Sequence, residues 1–320
     1  MTRFASLFFF AIGALAQPVS EGPVPTIRDM PYGKHPKQTI DFYKTNSDRP
    51  TPLVVFIHGG GWTAGTKNNV AGLQEFLDAG ISVASVEYRF IQDAMEAGIE
   101  PPVRAPLYDA ARAIQLLRSK AGELNIDKKR LAYMGSSAGA CTSLWLALHD
   151  DLADPSSSDP ISRESTKPMI IAVTAPQTSL DPLQTRSWIP NMAYGGHAFG
   201  FHAEGRTRPQ EFQMAFDARE RILPWIREYS PYEHASADDP PIYLDYPNQK
   251  EPVVSGTNQT DPTHSAILGL KMAERLREVG VEVHLNYPAR PAAITSAREF
   301  VLDRLKQPSP ARPKSTGTGR

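Results

Sequence analysis

Short apolar runs alternate with segments of helical periodicity through most of the chain. Continuous apolar runs bounded by Pro or Gly are typical of strands that a parallel sheet buries on both faces, whereas apolar residues three or four apart are typical of amphipathic helices. The runs predict strands over residues 51–57, 81–88, 130–134, 170–174, 241–246 and 281–287. The helical patterns cover residues 68–79, 106–120, 138–149, 265–279 and 295–305. This alternation predicts an α/β fold with a mostly parallel, doubly wound sheet.

Two segments depart from this alternation. Residues 38–43 (QTIDFY) alternate polar and apolar positions, which predicts an early edge strand. Residues 176–240 lack the strand pattern and are rich in Trp and Phe, which favours an aromatic, lid-like insertion above the sheet. A long crossover with its own small core is the alternative for this segment.

The two ends of the chain differ in composition from the part between them. Residues 1–16 combine Arg3, an apolar run and an Ala-Leu-Ala ending, which predicts a signal peptide cleaved before Gln17. The run is too short to span a bilayer, so we expect no transmembrane segment; an uncleaved interfacial anchor is the alternative. Residues 17–37 are rich in Pro and Gly and predict a connector, and residues 307–320 predict a disordered tail. We therefore expect a secreted or periplasmic protein with one folded domain over residues 38–306.

Length, charge and cysteine content narrow the class of protein further. With 320 residues, 41% of them hydrophobic, the chain can form one large core. A net charge of -1 argues against nucleic acid and anionic membranes as partners, because both attract a basic excess. The single cysteine, Cys141, cannot form an internal disulfide, and its place in a predicted buried helix makes it a core residue.

The candidate chemistry begins with a G-x-S-x-G motif at residues 135–139 (GSSAG). The motif lies between a predicted strand and a predicted helix, which is the context that a nucleophile elbow needs. Its glycines allow a sharp turn that lifts the Ser137 hydroxyl above the sheet edge, at a helix N-terminus that favours negative charge. Ser137 is therefore the candidate nucleophile, and an elbow that has lost its function is the alternative.

A glycine-rich loop, HGGGW at residues 58–62, follows the predicted strand 51–57. Successive glycines let backbone N–H groups turn into a cavity, as the oxyanion of a tetrahedral intermediate requires. We expect the N–H groups of Gly60 and Gly61 to form an oxyanion hole, with that of Ala138 as a third donor. His58 is expected to hold the loop by hydrogen bonding rather than to transfer protons.

The same loop also fits a dinucleotide-binding fingerprint. Gly59, Gly61 and Ala64 have G-x-G-x-x-A spacing after a strand, and Glu87 ends the next strand at a suitable distance for a ribose contact. Asn68 interrupts the run of small residues that should begin the helix, and this hypothesis leaves the elbow unexplained. We therefore expect no cofactor.

The order strand, HGGGW, strand, helix, GxSxG resembles the hormone-sensitive-lipase-like and BD-FAE-like branch of the α/β-hydrolases over residues 38–305. The similarity extends to Tyr88, Arg89, Pro106, Asp109, Ala110, Asp127 and Arg130. The resemblance implies an α/β-hydrolase fold and a cofactor-free carboxylesterase or acyl-carbohydrate esterase.

The resemblance also implies an orienting acid in an Asp-Pro context after the penultimate strand. Asp261, which precedes Pro262, fits because a helix and a strand follow it at the usual distance. Asp245, separated from it by residues 247–260, is an alternative. Asp181, after the predicted strand 170–174, is another, since some relatives place the acid there.

The base that the family carries after its last strand, in a Gly-His pair, has no counterpart in this chain. Residues 287–293 run YPARPAA, with Ala292 at about the position of the family's His, and no His follows His284. The best substitute is His264, three residues after Asp261 on a loop expected at the carboxyl edge of the sheet. His149 lies along the elbow helix at about 18 Å, which is out of reach. The other histidines are His35 and His58 before the elbow, His197, His202 and His234 in the insertion, and His284 in mid-strand.

Two functional hypotheses follow. The first is an exported serine carboxylesterase that hydrolyses small or carbohydrate-linked esters through an acyl-serine intermediate, with Ser137, His264 and Asp261 as its catalytic residues. The second is a non-catalytic or nearly inactive hydrolase-fold protein that binds a ligand beneath the insertion. We expect no metal, because there is no H-E-x-x-H motif and His197 with His202 lack a third ligand.

Overall fold

A computed structural model describes residues 22–306, which form an eight-stranded sheet flanked by helices. The strands are β1 (Ile27–Pro31), β2 (Thr39–Tyr43), β3 (Thr51–Ile57), β4 (Ser82–Val86), β5 (Ile126–Ser136), β6 (Ile170–Thr174), β7 (Ile242–Asp245) and β8 (Val283–Asn286). The helices are α1 (Leu73–Asp78), α2 (Ile91–Glu96), α3 (Arg104–Ser119), α4 (Ala121–Leu124), α5 (Ala138–Leu148), α6 (Pro182–Trp188), α7 (Arg208–Asp217), α8 (Arg219–Tyr229), α9 (Ala266–Glu278) and α10 (Ala297–Lys306). The predicted signal peptide and tail lie outside the described residues, so they and the exported localisation stay predictions.

The sheet has the strand order β1-β2-β4-β3-β5-β6-β7-β8. Strands β3 to β8 pair in parallel, and β1 and β2 are antiparallel at one end. Helices α3, α5 and α9 pack on one face, and α1 and α10 pack on the other. The central strand β3 is buried from both sides, which explains its unbroken apolar run. The predicted α/β class with a mostly parallel, doubly wound sheet is confirmed.

The amino-terminal edge of the sheet differs from the prediction. Residues 27–31, predicted as part of a connector, form β1, which pairs antiparallel with β2. The predicted edge strand is therefore the second strand of the sheet. Most side chains of β1 face solvent, and its register shifts between Ile27 and Met30, so it has neither the apolar run nor the regular alternation that predicts a strand. Pro31 is tolerated at the end of this strand because an edge leaves some N–H groups unpaired.

Two predicted elements change in length more than the others. The helix predicted over residues 68–79 shortens to α1, which begins after Gly72 in the left-handed conformation at φ 75°. The strand predicted over residues 130–134 lengthens to β5, whose first residue, Ile126, pairs with Thr51 of β3. Pairing with β3 therefore extends β5 through a polar stretch that has no strand pattern of its own.

The segment 176–240 is largely helical and contains α6, α7, α8 and two short 3₁₀ turns. Its buried aromatic side chains belong to the same core as α3, α5 and α9; among them are Trp188, Phe199 and Phe212. The insertion therefore extends the main core, and the alternative of a separate small core is wrong. Its action as a lid stays a prediction.

Candidate active site

The turn between β5 and α5 holds Ser137 in an unusual backbone conformation. Its φ of 50° and ψ of −121° lie where a residue with a Cβ is strained. Two backbone hydrogen bonds stabilise it: Ser137 N–H donates to the Thr174 carbonyl at 2.9 Å, and Cys141 N–H donates to the Ser137 carbonyl at 2.9 Å. The serine thus stands at the carboxyl edge of the sheet, at the N-terminus of α5.

The two glycines of the motif are required by close backbone approach. A Cβ on Gly139 would lie 2.1 Å from the Ile57 carbonyl oxygen and 2.4 Å from that of His58. A Cβ on Gly135 would lie 2.6 Å from the same oxygen of Ile57. The end of β3 and the start of α5 therefore touch through backbone atoms, which leaves no room for a side chain at either position.

The loop at residues 58–62 lies directly beside the elbow. A Cβ on Gly59 would lie 3.3 Å from the Ser137 Cβ, so the loop begins against the serine. Gly60 and Gly61 have φ values of 108° and 63°, which favour glycine. Within residues 22–306 their N–H groups donate to no protein acceptor, and the N–H of Ala138, as the first residue of α5, has no intrahelical acceptor. These three N–H groups have no acceptor among the described residues, and the loop that carries two of them begins against Ser137.

His58 fixes the shape of this loop. Its Nδ1 lies 2.7 Å from the Gly59 carbonyl oxygen and its Nε2 lies 2.8 Å from Glu87 Oε1. The ring of His58 stacks on that of Tyr88 with centroids 4.3 Å apart. The Glu87 carboxylate also accepts a hydrogen bond from the Lys67 N–H at 3.2 Å. Both of its oxygens therefore bind groups of the protein, and it does not point towards a ribose site. The dinucleotide hypothesis is therefore not supported by this geometry.

Trp62 links the loop to the elbow helix. Its side chain is fully buried, and its Nε1–H donates to Thr142 Oγ1 at 3.0 Å. Its carbonyl accepts from the Ile91 N–H at 2.8 Å. The glycine loop is thus fixed between α5 and α2, so the free N–H groups have defined positions relative to Ser137.

Three side chains form a continuous hydrogen-bonded chain at the elbow. Ser137 Oγ lies 2.9 Å from His264 Nε2, and His264 Nδ1 lies 2.8 Å from Asp261 Oδ2. Asp261 also accepts from the His264 backbone N–H at 3.2 Å, which caps the short 3₁₀ turn Pro262–His264. Gln177, after β6, donates to the carbonyl of Thr263 at 2.9 Å and holds that turn over the sheet edge.

The two alternative acids are engaged elsewhere. Asp245 accepts from Asn286 Nδ2 at 2.8 Å, and Asn286 Oδ1 in turn accepts from the Ala292 N–H at 2.9 Å. Burial raises the pKa of Asp245, while the hydrogen bond from Asn286 opposes that shift. Asp181 caps α6 and binds Arg219 through both carboxylate oxygens at 2.8 and 2.7 Å. Burial alone would raise the pKa of Asp181, but the bonds from Arg219 and the backbone lower it overall.

The other histidines beyond the elbow bind partners away from Ser137, except the buried His197, which lies against the glycine loop. His149 lies 3.2 Å from Glu228, His202 lies 2.6 Å from Glu211, His234 lies 2.7 Å from the Glu228 carbonyl, and His284 lies 2.8 Å from Glu282. His197 is fully buried; burial and the charge of Arg208 lower its pKa, and a hydrogen bond with the Gly61 backbone opposes that shift. Across residues 22–306 no cluster of His, Cys, Asp or Glu is arranged to hold a metal, and no helix is long and apolar enough to cross a membrane.

Residues of the insertion that carry no motif also reach the glycine loop. The Tyr194 hydroxyl lies 3.3 Å from the position of a Cβ on Gly61, and Arg208 Nη2 donates to Thr63 Oγ1 at 3.2 Å. Both contacts join segments more than a hundred residues apart. In the sequence, only the aromatic content of residues 176–240 indicates that this segment could contact the loop. That content does not single out Tyr194 or Arg208.

The strand order, the strained serine between β5 and α5, and the adjoining glycine loop define an α/β-hydrolase fold. The family model BD-FAE matches residues 40–261. This match covers more than half of the chain, so the protein belongs to the BD-FAE family. The match ends at Asp261, three residues before His264.

Comparisons with individual proteins agree with that family. The chain is similar to a probable isoprenylcysteine alpha-carbonyl methylesterase of Arabidopsis thaliana, 34% identical over 117 residues, or 35% of this chain and 26% of that protein. It is also similar to an arylesterase of Saccharolobus solfataricus, 33% identical over 139 residues, or 41% of this chain and 42% of that protein. The matched region thus spans about a quarter of the plant relative's length and about two fifths of the arylesterase.

Solved structures share the fold. An acetyl ester-xyloside bifunctional hydrolase from Caldicellulosiruptor lactoaceticus superposes with a TM-score of 0.62 at 21% identity, covering 89% of this chain and 97% of that chain. Thermogutta terrifontis esterase 2 superposes with a TM-score of 0.59 at 19% identity, covering 91% and 96%. At these sequence identities the structural similarity establishes that the chain shares the fold of these two proteins.

The backbone contact at the elbow predicts the effect of a single methyl group. Gly139→Ala should lower the free energy of unfolding by at least about 2 kcal/mol, because its Cβ meets two carbonyl oxygens that cannot move independently. Urea denaturation measures the change. Gly122→Ala is the matched control: a Cβ there meets nothing within 4 Å, so stability should stay the same or rise by up to about 1 kcal/mol. Equal behaviour of the two variants would contradict the close packing at Gly139.

Proposed function

We propose that this protein is a serine ester hydrolase, with Ser137 as nucleophile, His264 as general base and Asp261 as the acid that orients it. The observation that carries the proposal is the hydrogen-bonded chain from Ser137 Oγ to His264 Nε2 at 2.9 Å and from His264 Nδ1 to Asp261 Oδ2 at 2.8 Å. A serine, an imidazole and a carboxylate in this order are the arrangement that activates a hydroxyl for acyl transfer.

Each group has one task in the first half of the reaction. As Ser137 Oγ bonds to the ester carbonyl carbon, its proton moves to His264 Nε2 and the carbonyl π electrons move to oxygen. Asp261 accepts the His264 Nδ1–H, which keeps Nε2 directed at the serine and stabilises the positive charge that develops on the ring. The N–H groups of Gly60, Gly61 and Ala138 are the proposed donors to the oxyanion.

The second half returns the enzyme to its starting state. The tetrahedral intermediate collapses, the bond to the leaving alcohol oxygen breaks, and the alcohol takes the proton from His264. Water then loses a proton to His264 and attacks the acyl-serine, and Ser137 recovers its proton when the acid leaves. The ester and water are the reactants of these steps.

The proposed substrates are esters of small molecules, including acylated carbohydrates. Support for the ester class comes from family membership and from relatives named as a methylesterase and an arylesterase. The name of the acetyl ester-xyloside hydrolase, whose fold this chain shares, suggests the carbohydrate class. A short-chain aryl ester is a suitable first probe because it places few demands on the alcohol subsite.

The first functional test removes the nucleophile and the base. Ser137→Ala and His264→Ala should each lower kcat for a short-chain aryl ester by about 10³-fold or more, and the double variant should lose little more, because the two side chains act as one unit. Initial rates of ester hydrolysis measure this effect. His284→Ala, which removes an imidazole paired with Glu282 away from the site, should keep the wild-type kcat.

The possible results separate the two functional hypotheses. A wild-type protein without Ser137-dependent turnover of any ester would refute the enzyme proposal and favour a ligand-binding protein. A His264→Ala variant with full activity, beside an inactive Ser137→Ala variant, would refute His264 as the base.

The second test compares the candidate acids. Asp261→Asn should lower kcat by about 10²–10⁴-fold, because an amide does not stabilise the charged ring of His264. Asp245→Asn should leave kcat nearly unchanged, since that carboxylate is bound to Asn286. Asp181→Asn should lower the unfolding temperature, through loss of its charged contact with Arg219, without a matching loss of kcat. Loss of kcat in Asp245→Asn but not in Asp261→Asn would assign the acid to Asp245.

A further inference from the structure

The turn that carries the proposed acid and base has little packing to hold it. None of its residues Pro262–His264 is buried, and the Asp261 side chain is 59% exposed. A surface turn without buried side chains keeps its place mainly through hydrogen bonds, because it gains little from the burial of apolar area. The bonds that join this turn to the rest of the protein therefore decide where the His264 ring stands relative to Ser137.

One of these bonds comes from a buried side chain. Gln177 is only 2% exposed, and its Nε2–H donates to the Thr263 carbonyl at 2.9 Å, one residue before His264. The insertion makes a second link, from the Asn191 side chain to the backbone of Gln259, but Asn191 is exposed. A hydrogen bond from a buried donor is stronger than one in water, so Gln177 supplies the firmer contact.

The segment that carries Gln177 also binds the nucleophile. The carbonyl of Thr174, three residues earlier, accepts from the Ser137 N–H at 2.9 Å. The hydroxyl of Thr178, one residue later, donates to the carbonyl of Leu268 in α9 at 2.9 Å. A short stretch of chain after β6 therefore contacts the serine at one end, and the turn and α9 at the other.

The oxygen of the Gln177 amide contributes nothing to this hold. Gln177 Oε1 is buried and has no hydrogen-bond partner within residues 22–306. An unpaired buried oxygen destabilises the folded state and calls for an explanation. Polar groups kept at a cost in stability are typical of functional sites. What the glutamine supplies at this position is the N–H directed at the turn.

Resting on the proposed function, we propose that Gln177 is a positioning residue that holds His264 Nε2 at Ser137 Oγ. Its N–H fixes the Thr263 carbonyl, and with it the backbone that carries the imidazole, relative to the end of β6 that binds the serine. In this role it neither contacts the ester nor transfers a proton. The distance of 2.9 Å between Ser137 Oγ and His264 Nε2 is that of a hydrogen bond, so a shift of the turn by about 1 Å would break it and slow proton transfer.

Gln177→Met tests this role, because methionine has a similar length and volume but no N–H. It should lower kcat for a short-chain aryl ester about 5–50-fold with KM nearly unchanged, since a displaced base affects the transition state more than the bound ester. The unfolding temperature should change little, because loss of the bond to Thr263 is offset by removal of the unpaired Oε1. Initial rates and thermal unfolding measure the two effects.

A coupling measurement separates positioning from a general structural effect. In a His264→Ala background there is no imidazole to position, so Gln177→Met should change the residual rate by less than about 2-fold. Gln115→Met is the matched control. Gln115 is a buried glutamine of α3 whose Nε2 donates to three backbone carbonyls of residues 152–164, so its replacement should lower the unfolding temperature and leave kcat unchanged.

Several results would overturn the inference. Unchanged kcat in Gln177→Met would do so, as would a raised KM at constant kcat. An equal loss of rate in the His264→Ala background would show that Gln177 does not act through the base. A fall in unfolding temperature as large as that of Gln115→Met, together with reduced kcat, would assign Gln177 a structural role.

The inference and the proposed function fail in distinguishable ways. A wild type whose turnover depends on Ser137 and His264, beside an unimpaired Gln177→Met variant, refutes the inference alone. A wild type without Ser137-dependent turnover refutes the proposed function and this inference with it.

Discussion

The contact between the end of β3 and the start of α5 is the constraint on which the site depends. The carbonyl oxygens of Ile57 and His58 lie so close to Gly139 that a single methyl group would collide with both. This contact sets the distance between the glycine loop and the elbow, because the loop leaves β3 at Ile57 and the serine precedes α5. The strained φ of Ser137 and the positive φ values of Gly60 and Gly61 are then local consequences of one backbone arrangement. Burial of β3 between the two helical layers supplies the stability that maintains it.

The imidazole at the elbow comes from a different loop from the one that the family resemblance implies. His264 follows β7 in a short turn capped by Asp261, so the proposed acid and the proposed base lie on one turn of chain. Where the family's His was expected, the Ala292 N–H is bound to Asn286, which also binds Asp245. Parallel strands bring their carboxyl ends to the same edge, so loops after β7 and β8 can both reach a serine after β5. The sheet is therefore compatible with a base on either loop, as our proposal for His264 requires.

The sequence carried enough information to predict the sheet and the elbow, because both depend on local patterns. Apolar runs such as residues 51–57 specify buried strands, and GSSAG between a strand and a helix specifies the turn. Asp261 and His264 could be nominated as a pair because they are three residues apart. Their approach to Ser137 could not be measured from sequence, since it joins positions 127 residues apart through the packing of β7 and α9. Tyr194 was missed because its contact with Gly61 has no motif, and β1 was missed because its exposed residues show no strand pattern.

The central claim is that His264 activates Ser137, and covalent trapping tests it most directly. Diethyl 4-nitrophenyl phosphate bonds to an activated serine oxygen and releases 4-nitrophenolate, so the reaction can be followed by absorbance and the adduct located by peptide mass mapping. Our account predicts one adduct, on Ser137, formed at least about 10²-fold more slowly in His264→Ala. Equal rates of Ser137 labelling in wild type and His264→Ala, or labelling at another residue, would contradict it.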